Sequence, residues 1–533
     1  MTNPAANPAA MKEATPVNGA DVLCETLLAN DVDVCFANPG TSEMHFVAAL
    51  DRQPRMRCVL GLFEGVVTGA ADGYARMADK PAATLLHLGP GLANGLANLH
   101  NARRATTPIV NIVGDHATYH LAFDAPLTSD IGSLARPMSH WVGRAREASE
   151  VSRAAAQAIG EARSAPGRIA TLILHADAAW SALPSAMPIE LAPHPRPAAP
   201  DPARIDAAAA ALRNGAPTVL LVTGRALRAP ALEQASRIAQ ASGARLLAQQ
   251  SNARVERGAG RVAIDRVPYV VEQALACFDG VAQVVLIGAK APVAFFAYPG
   301  QPSSMLPADC RVIEAARPED DLDEALAQLA DRLAIGRDLT PRVSPRVRTE
   351  APTGVLKPSA IFRAVAAHLP EGAIVCDESV SSGRDAFPAT YGAASHDHLQ
   401  LTGGAIGDGM PMAVGAAIAC PDRKVVCLQA DGSGMYTVQA LWTMARERLD
   451  VVVIVFANRR YAILHGELKA VGAGAAGHNA SRMLDLVDPA LDWVALAKGM
   501  GVEGASTDDA GRFSDLLRAA MARPGPFLIE ARI

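Results

Sequence analysis

The sequence predicts an α/β protein of three doubly wound domains with mainly parallel sheets. Its 533 residues, 50% of them hydrophobic and 19% charged, are too many for one hydrophobic core. Short β-branched runs that end in Gly, Asp or Asn alternate along the chain with longer Ala- and Leu-rich stretches of helical spacing. Continuous apolar strands separated by helices are typical of parallel sheets that are covered on both faces.

Each third of the chain repeats this pattern. The predicted strands lie, in chain order, in VDVCFANPG, AATLLHLGPG, PIVNIVGD and RIATLILHA, then in PTVLLVTG and VAQVVLIGA, and finally in GAIVCDES, KVVCLQADG, VVVIVFAN and PFLIEARI. Because β-branched residues favour strands and Gly, Asp and Asn favour turns, each run predicts a strand that is followed by a loop and a helix.

Two proline-containing segments separate the thirds. Residues 183–204 contain seven prolines, which remove backbone donors and fix φ, so this segment is predicted to be a linker. Residues 337–354 have a similar composition and are predicted to be a second linker. The predicted units are a disordered N-terminus over 1–17, a first domain over 18–182, a middle domain over 205–336 and a third domain over 355–533.

Composition excludes several classes of function. A net charge of -5 and a pI near 6.2 provide no basic surface, so nucleic acid is not an expected partner. The eight cysteines form no C-x-x-C pair, and most lie in apolar runs, which favours buried thiols in a reducing compartment. No apolar run approaches 18 residues, and the first residues have no signal-peptide core. We expect a cytoplasmic protein without a membrane partner.

Polar side chains follow two neighbouring apolar runs in the third domain. We predict a strand over 424–430, a helix over 435–448 and a strand over 451–457, which form a right-handed crossover between parallel strands. Asp431 and Asn458 then leave the sheet at one edge, where about 4.8 Å separates adjacent strands. Hard oxygen ligands beside a helix N-terminus suit Mg²⁺ and a diphosphate. Alternatively, Asp-Gly is only a turn and Asn458 a loop residue.

The segment resembles a known cofactor motif. ADGS, followed by AN and RRY, is similar to the thiamine-diphosphate motif that begins Gly-Asp-Gly and ends Asn-Asn, with Ala430 and Ala457 as departures. The resemblance to the acetolactate synthase, pyruvate oxidase and benzoylformate decarboxylase family covers nearly the whole chain, and acetolactate synthase large-subunit-like proteins are the most similar. Its other specific pieces are FANPGTSE (36–43), FEGVVTGAADGYAR (63–76), LHLGPGLANGLAN (86–98), DESVSSG (377–383) and TGGAIGDGMPMAVGAA (402–417).

The resemblance implies thiamine diphosphate and Mg²⁺ as cofactors. The first domain would bind the pyrimidine and the third the diphosphate, in a homodimer or homotetramer whose active site lies between subunits. The implied metal-binding residues are Asp431, Asn458 and Arg460. The other implied cofactor contacts of the third domain are Gly404, Ile406, Gly432, Ser433, Tyr461, Ser381 and Ser382, although a serine-rich turn is the commoner meaning of the last two.

Glu64 is the main catalytic candidate. It lies in an apolar run, where an unpaired carboxylate is costly, and by resemblance it would bond the cofactor's aminopyrimidine. Alternatively, it is a first-turn Glu that the helix dipole favours. Gly65, Gly69 and Gly73 follow on one helix face and predict a close backbone approach, either within the domain or, by resemblance, against a second subunit.

The predicted substrate pocket is less complete than the cofactor site. By resemblance, Thr41 and His87 replace a Ser and a His of the decarboxylases, while Phe295 and its neighbours stand where a second His would fall. The remaining candidates for this pocket are Asp115, His116, Leu464 and Glu467. A surface loop is the alternative for His116, and no further zinc ligands are found for it.

The resemblance implies an enzyme that decarboxylates a 2-oxo acid and transfers the acyl anion equivalent to a second carbonyl, as acetolactate synthases do. A decarboxylase of the benzoylformate type that releases an aldehyde is the first alternative. A non-catalytic paralogue that binds the cofactor is the second, and a flavin-dependent oxidoreductase is a third. FAD is not expected, because no feature of the middle domain requires it. Asp408 has no explanation from the sequence, since relatives often carry an aromatic residue there.

Overall fold

The computed structural model describes residues 17–184, 187–336 and 338–533. The first 16 residues of the predicted N-terminal segment lie outside the described residues, as do 185–186 and 337 in the predicted linkers. Within the described part of the chain, no helix combines the length and the apolar character that spanning a membrane requires.

The first of three sheets in the described chain has six parallel strands in the order β2-β1-β3-β4-β6-β5. The strands are β1 Val34–Asn38, β2 Arg57–Leu60, β3 Ala82–Leu86, β4 Ile109–Asp115, β5 Trp141–Ala145 and β6 Ile169–His175. The helices are α1 Gly19–Ala29, α2 Met44–Leu50, α3 Glu64–Ala78, α4 Leu88–Ala105, α5 Ile131–Ala135, α6 Val151–Arg163 and α7 Ala176–Trp180. Strands β3, β4 and β6 are buried along their whole length, as expected for a doubly wound sheet.

The second sheet, in the described middle part, has five parallel strands in the order β10-β8-β7-β11-β12. The strands of this part are β7 Thr218–Val222, β8 Arg245–Ala248, β9 Val255–Arg257, β10 Asp265–Arg266, β11 Gln283–Ile287 and β12 Arg311–Ala316. Its helices are α8 Pro202–Arg213, α9 Ala229–Ser242, α10 Val271–Phe278 and α11 Leu322–Arg332. Helix α8 begins within the predicted linker, because Pro202 suits the first helical turn and the Asp201 side chain caps it.

The third sheet has seven strands among the described residues, in the order β17-β18-β16-β15-β13-β14-β9. Its own strands are β13 Ala373–Glu378, β14 His396–Gln400, β15 Val425–Ala430, β16 Val451–Ala457, β17 Glu503–Thr507 and β18 Phe527–Arg532. The helices are α12 Pro358–His368, α13 Ala386–Ala389, α14 Gly409–Ala419, α15 Asp431–Gly434, α16 Ala440–Glu447, α17 Ala462–Ala470, α18 His478–Leu484, α19 Trp493–Gly499 and α20 Ala510–Ala522. Only β9 is antiparallel, and it joins the middle part to this sheet. The predicted fold class is therefore confirmed.

One predicted helix is wrong in its extent. Strands β15 and β16 are parallel neighbours, as predicted, but the expected helix over 435–448 is replaced by the single turn α15 and the shorter α16. Between the two, the Thr437 hydroxyl donates to the Gly407 carbonyl at 2.9 Å. This bond ties the connection to the loop before α14, and the regular helix starts only after it.

The glycine face of α3 packs against α14 of the same chain. A Cβ on Gly69 would lie 2.6 Å from the Pro411 side chain, and a Cβ on Gly73 would clash with the Met412 backbone. Gly415 of α14 meets the α3 backbone at Ala70 in the same way. The expected close backbone approach is thus confirmed, but it occurs within one chain, so these glycines do not indicate a second subunit.

Arg76, in the last turn of α3, contacts all three parts of the chain. Its guanidinium bonds Asp72 on its own helix, the Ala253 carbonyl of the middle part at 3.2 Å and the Gln400 carbonyl of β14 at 2.7 Å. The side chain is 1% exposed. Arg76 is therefore a junction between the three sheets.

Candidate active site

Asp431 joins the carboxyl ends of β15 and β16. Its Oδ2 accepts the Arg459 backbone N–H at 2.6 Å, and its Oδ1 accepts that of Gly432 at 2.8 Å. Burial raises the pKa of this carboxyl, while the backbone donors act in the opposite direction. Each oxygen still has a free lone pair, so the carboxylate can take a cation that would offset the cost of burying it.

The other residues of this edge are held by short-range contacts. Asn458 Oδ1 accepts the Arg460 N–H at 3.0 Å, and both residues lie directly after β16. The Tyr461 ring covers Gly432 so closely that a Cβ there would lie 2.5 Å from Cε1 of the ring. Only glycine fits at that position. Ser433 is buried and its hydroxyl donates to the carbonyl of Ala430 at 3.2 Å.

This edge fits Mg²⁺ better than a transition metal. A carboxylate, an amide oxygen and backbone carbonyls are hard ligands, and Mg²⁺ is usually held by one or two protein oxygens together with phosphates and water. The described residues include no group of three or more His, Cys, Asp or Glu side chains that could hold a metal ion. The predicted residues Asp431, Asn458 and Arg460 do lie together at the end of β15 and β16.

The loop before α14 is shaped by a residue that the sequence analysis did not single out. The buried carboxylate of Glu378 accepts the N–H groups of Gly407 and Gly409, each at 2.6 Å, and the Gln429 amide at 3.1 Å. Burial raises its pKa. Gly404, with φ +79°, is exposed, and a Cβ there would lie 2.7 Å from the Phe295 ring. The quoted DES segment was the available signal for Glu378.

The other loop residues differ in their contacts. Ile406 is half-buried, as are Ser381 and Ser382, which lie in the 3₁₀ turn Val380–Gly383. Within this segment it is the preceding Ser379 whose hydroxyl bonds the Asp377 carboxylate. Ser381 and Ser382 therefore have hydroxyls that are not used in holding the turn.

Asp408 lies at the α3–α14 contact. It is fully buried, and neither carboxylate oxygen has a hydrogen-bond partner among the described residues. Arg76 lies 3.9 Å away but already pairs with Asp72. Burial, and then the neighbouring Asp72, raise the pKa of Asp408 well above its usual value. Burial and Asp72 therefore both favour the protonated form of this carboxyl group.

Glu64 starts α3, directly after the loop that follows β2. It is half-buried, and its Oε2 accepts the Asn94 side-chain amide of α4 at 3.0 Å. Helix α4 thus supplies one partner for a carboxylate that would be costly to leave unpaired in this apolar run. The Asn98 amide, one turn further along α4, donates to the carbonyls of Gly65 and Gly407. The start of α3 is thus linked through α4 to the loop before α14.

Thr41 and His87 follow the adjacent strands β1 and β3. Thr41 is exposed, and the His87 ring lies against Gly40. Nδ1 of His87 lies 2.8 Å from Oε2 of Glu43, a buried residue that the sequence analysis missed although FANPGTSE contains it. The available signal was the spacing from Gly40 to Glu43, which is typical of a helix capping box.

Asp115 is the last residue of β4, and both of its carboxylate oxygens contact nearby residues of the first part. Its Oδ1 accepts the His116 N–H at 2.8 Å, and Arg144 Nη1 lies 3.6 Å from Oδ2. His116 is half-buried, and its Nε2 is buried without a partner among the described residues. The rings of His116 and His120 stack edge to face with centroids 5.4 Å apart. This geometry favours a packed loop over a metal site.

The candidates on α17 meet the middle part of the chain. Leu464 is 43% exposed, and Glu467 Oε1 accepts the Tyr298 hydroxyl at 3.2 Å. The structure thus assembles the predicted residues at two edges, one in each terminal part of the chain. No hydrogen bond between described residues connects Glu64 to Asp431 or Asn458.

Comparison with known proteins identifies the two edges. Residues 17–134 match the thiamine pyrophosphate enzyme N-terminal TPP binding domain, and residues 388–531 match the C-terminal TPP binding domain of the same enzymes. The first match contains Glu64 and His87, and the second contains Asp431 and Asn458.

Relatives match over nearly the full chain. A Mycobacterium tuberculosis protein named "Putative acetolactate synthase large subunit IlvX" is 53% identical over 96% of this chain and 98% of its own. Benzoylformate decarboxylase of Pseudomonas aeruginosa is 29% identical over 95% of this chain and 97% of its own. The structure of the thiamine diphosphate-dependent 4-hydroxybenzoylformate decarboxylase of Rhodococcus jostii superimposes with a TM-score of 0.81 at 26% identity, covering 97% of this chain and 99% of that one. The chain belongs to the thiamine-diphosphate-dependent enzymes that include acetolactate synthase large subunits and benzoylformate decarboxylases.

Proposed function

We propose that the protein is a Mg²⁺- and thiamine-diphosphate-dependent enzyme that decarboxylates a 2-oxo acid and joins the acyl unit to a second carbonyl compound. The observation that carries the cofactor assignment is the buried Asp431 carboxylate, whose two oxygens each accept a backbone N–H while Asn458 lies at the end of the adjacent strand. Such a charge is costly in a buried position unless a cation and its phosphates complete the site.

The roles of the residues follow from this proposal. Asp431, Asn458 and the Arg460 backbone carbonyl would hold Mg²⁺. Glu64 would bind and exchange a proton with the pyrimidine ring, and the glycine at 404 would leave room for that ring. When bound at these residues, thiamine diphosphate would supply the nucleophile and the electron sink that decarboxylation of a 2-oxo acid requires.

The choice of acyl acceptor depends on proton donors near the substrate. Phe295 of the middle part contacts Gly404 where a second histidine would lie in the decarboxylases, so that side of the site offers an apolar ring and no acid. This supports transfer to a second carbonyl. The paired His87 and Glu43 favour the second candidate, an aldehyde-releasing decarboxylase, because they retain one group that can deliver a proton.

We also propose that the active form is a homodimer or homotetramer. The carboxylate of Glu64 contacts α4 of its own first part, and its hydrogen bonds do not reach the edge that carries Asp431. A second copy of the chain would supply the facing edge. The mass of the cofactor-loaded protein in solution, measured by light scattering, tests this point, and an active monomer would refute it.

Replacing Glu64 with Gln should lower turnover by about 10²–10⁴-fold, the usual contribution of a proton-transfer group. Exchange of the cofactor's C2 proton, followed by NMR, should slow in parallel, while the cofactor stays bound because Asp431 is unchanged. Glu319→Gln, which makes the same change on the surface, is the control. Turnover of Glu64→Gln equal to that of the control would refute the assignment.

The acceptor is identified by product analysis. The protein is incubated with a panel of 2-oxo acids, with and without thiamine diphosphate and Mg²⁺, and the products are separated as 2-hydroxyketones or aldehydes. A 2-hydroxyketone supports the proposal, and an aldehyde alone supports the second candidate. Bound cofactor without any turnover would indicate a non-catalytic paralogue, and a yellow chromophore would indicate a flavin protein.

A further inference from the structure

Glu43 is a buried acid whose two hydrogen-bond partners lie on the same carboxylate oxygen. It is 3% exposed, and its Oε2 lies 2.8 Å from His87 Nδ1 while also accepting the Gly40 N–H at 2.8 Å. Its Oε1 is buried and has no hydrogen-bond partner among the described residues. Gly114 of β4 lies against this oxygen, and a side chain at that position would clash with it. The folded protein therefore holds a carboxyl group at this position although one of its oxygens makes no hydrogen bond.

A capping role alone does not explain this arrangement. Glu43 satisfies the Gly40 N–H as the third residue of a capping box does. A cap needs a single acceptor oxygen and works equally well at an exposed surface, whereas leaving a buried polar atom unsatisfied costs about 1–3 kcal/mol. A hydrogen bond to the imidazole of His87 explains why the carboxyl group of Glu43 is buried.

We propose that Glu43 is the positioning residue of His87 and holds its imidazole ready for proton transfer to or from the substrate. This inference rests on the proposed function, and in particular on its second candidate, in which His87 delivers a proton to the substrate. In this pair an ionised Glu43 would only accept hydrogen bonds, which would place the hydrogen of the neutral ring on Nδ1. Nε2, with its free lone pair, is then the nitrogen that meets the substrate. When Nε2 takes up a proton, the carboxylate beside the ring stabilises the resulting charge.

The surroundings isolate this pair. Around Glu43, the described residues supply His87 as the titratable neighbour and the backbone of Gly40 and Gly114 on the other sides. Burial raises the pKa of Glu43, and the nearby His87 acts in the opposite direction. A change at Glu43 should therefore be transmitted to the active site mainly through His87.

A double-mutant cycle tests this transmission. Glu43→Gln preserves volume and an acceptor oxygen but removes the charge, so kcat should fall about 10–100-fold with little change in KM. In a His87→Ala background the same substitution should have almost no further effect. Additive losses in the double variant, or an unchanged kcat in Glu43→Gln, would overturn the inference. Glu319→Gln again controls for the loss of one acid.

A second readout uses the cofactor-free protein and needs no turnover. Diethyl pyrocarbonate acylates a free imidazole nitrogen, and mass spectrometry of the peptides gives the rate at each histidine. A carboxylate that accepts the Nδ1 hydrogen keeps the lone pair on Nε2 of His87, so Glu43→Gln should slow the acylation of His87 relative to the exposed His478 by about 3-fold or more. Equal relative rates in both proteins would refute the pairing.

Gly114→Ala provides an independent variant in case Glu43→Gln does not fold. The added methyl displaces the Glu43 carboxylate without altering it, so both the lower kcat and the slower acylation should recur. If the wild-type protein shows no thiamine-diphosphate-dependent turnover, the proposed function fails. The acylation rates alone then test whether Glu43 positions His87. If the wild type is active and the cycle is additive, only the present inference fails.

Discussion

The two sheet edges that would hold one cofactor, at Asp431 and at Glu64, differ in how firmly contacts within the chain hold their side chains. In the third part, Asp431 is 3% exposed and both its oxygens are bound by backbone N–H groups, while Glu378 fixes the neighbouring loop. In the first part, Glu64 is half-buried with one amide partner, and Thr41 is exposed. The edge that carries Asp431 is therefore preorganised, whereas the edge that carries Glu64 and Thr41 is less constrained by its own chain.

The strongest test of this contrast removes the preorganised group. Asp431→Ala should weaken retention of thiamine diphosphate and Mg²⁺ by about 100-fold, equivalent to about 2.8 kcal/mol, because the buried metal ligand and its link to Arg459 are lost together. Isothermal titration with the cofactor at fixed Mg²⁺ measures the effect. Asp422→Asn, an exposed acid near the start of β15, should bind as the wild type does. Equal affinities for the two variants would contradict the metal assignment.

The next test separates the two parts that carry the edges. Gly73→Leu drives a side chain into the Met412 backbone, so α3 and α14 must move apart. Overpacking of this kind costs about 1–3 kcal/mol, and the unfolding temperature measured by calorimetry should fall. Gly466→Ala is the matched control, because this helical glycine has open space around it and alanine favours a helix. A wild-type unfolding temperature for Gly73→Leu would show that the α3–α14 contact is not close.

The smallest expected effect concerns Asp408, between the two edges. Its pKa is raised in the folded protein, so the folded state binds the proton more tightly than the unfolded state does. Stability from this group is complete below the unfolded pKa near 3.8 and is lost as pH rises towards the folded value. Asp408→Asn cannot lose a proton, so its stability relative to the wild type should increase with pH.

Unfolding temperatures of Asp408→Asn and wild type between pH 5 and pH 8 measure this difference, for which we expect about 1 kcal/mol. The groups that face Asp408 are Asp72, Arg76 and Glu378. Asp309→Asn removes an exposed acid and should give a difference that does not depend on pH. A pH-independent difference for Asp408→Asn as well would mean that Asp408 is ionised in the fold.

Local patterns in the sequence predicted the sheets and the edge that carries Asp431. The fully apolar runs of β4, β6 and β16 are confirmed as buried parallel strands, because burial on both faces removes polar residues from the sequence. The position of Asp431 beside Asn458 followed from one crossover of known length. Both predictions concern contacts between elements that follow each other in the chain. The spacing of residue types along the sequence reflects such contacts.

Contacts between distant elements were not predictable. Glu378, Glu43 and Asn94 act through partners 29 or more residues away in sequence, and their local sequence does not separate them from capping or surface residues. The break between α15 and α16 likewise depends on Thr437 meeting a loop 30 residues earlier. The glycines of α3 predicted a close neighbour correctly but could not identify it as α14.

Arg76 links α3, the helix that begins with Glu64, to the other two parts of the chain. Its guanidinium donates to carbonyls of two other units, so the loss of either unit removes a hydrogen bond and part of the packing that surrounds this side chain. Fragments cut at the proline-rich segments should therefore not fold as independent units, and thermal unfolding should disrupt all three sheets in a single transition. Helix α3, which begins with Glu64, is thereby expected to hold its position only in the complete chain.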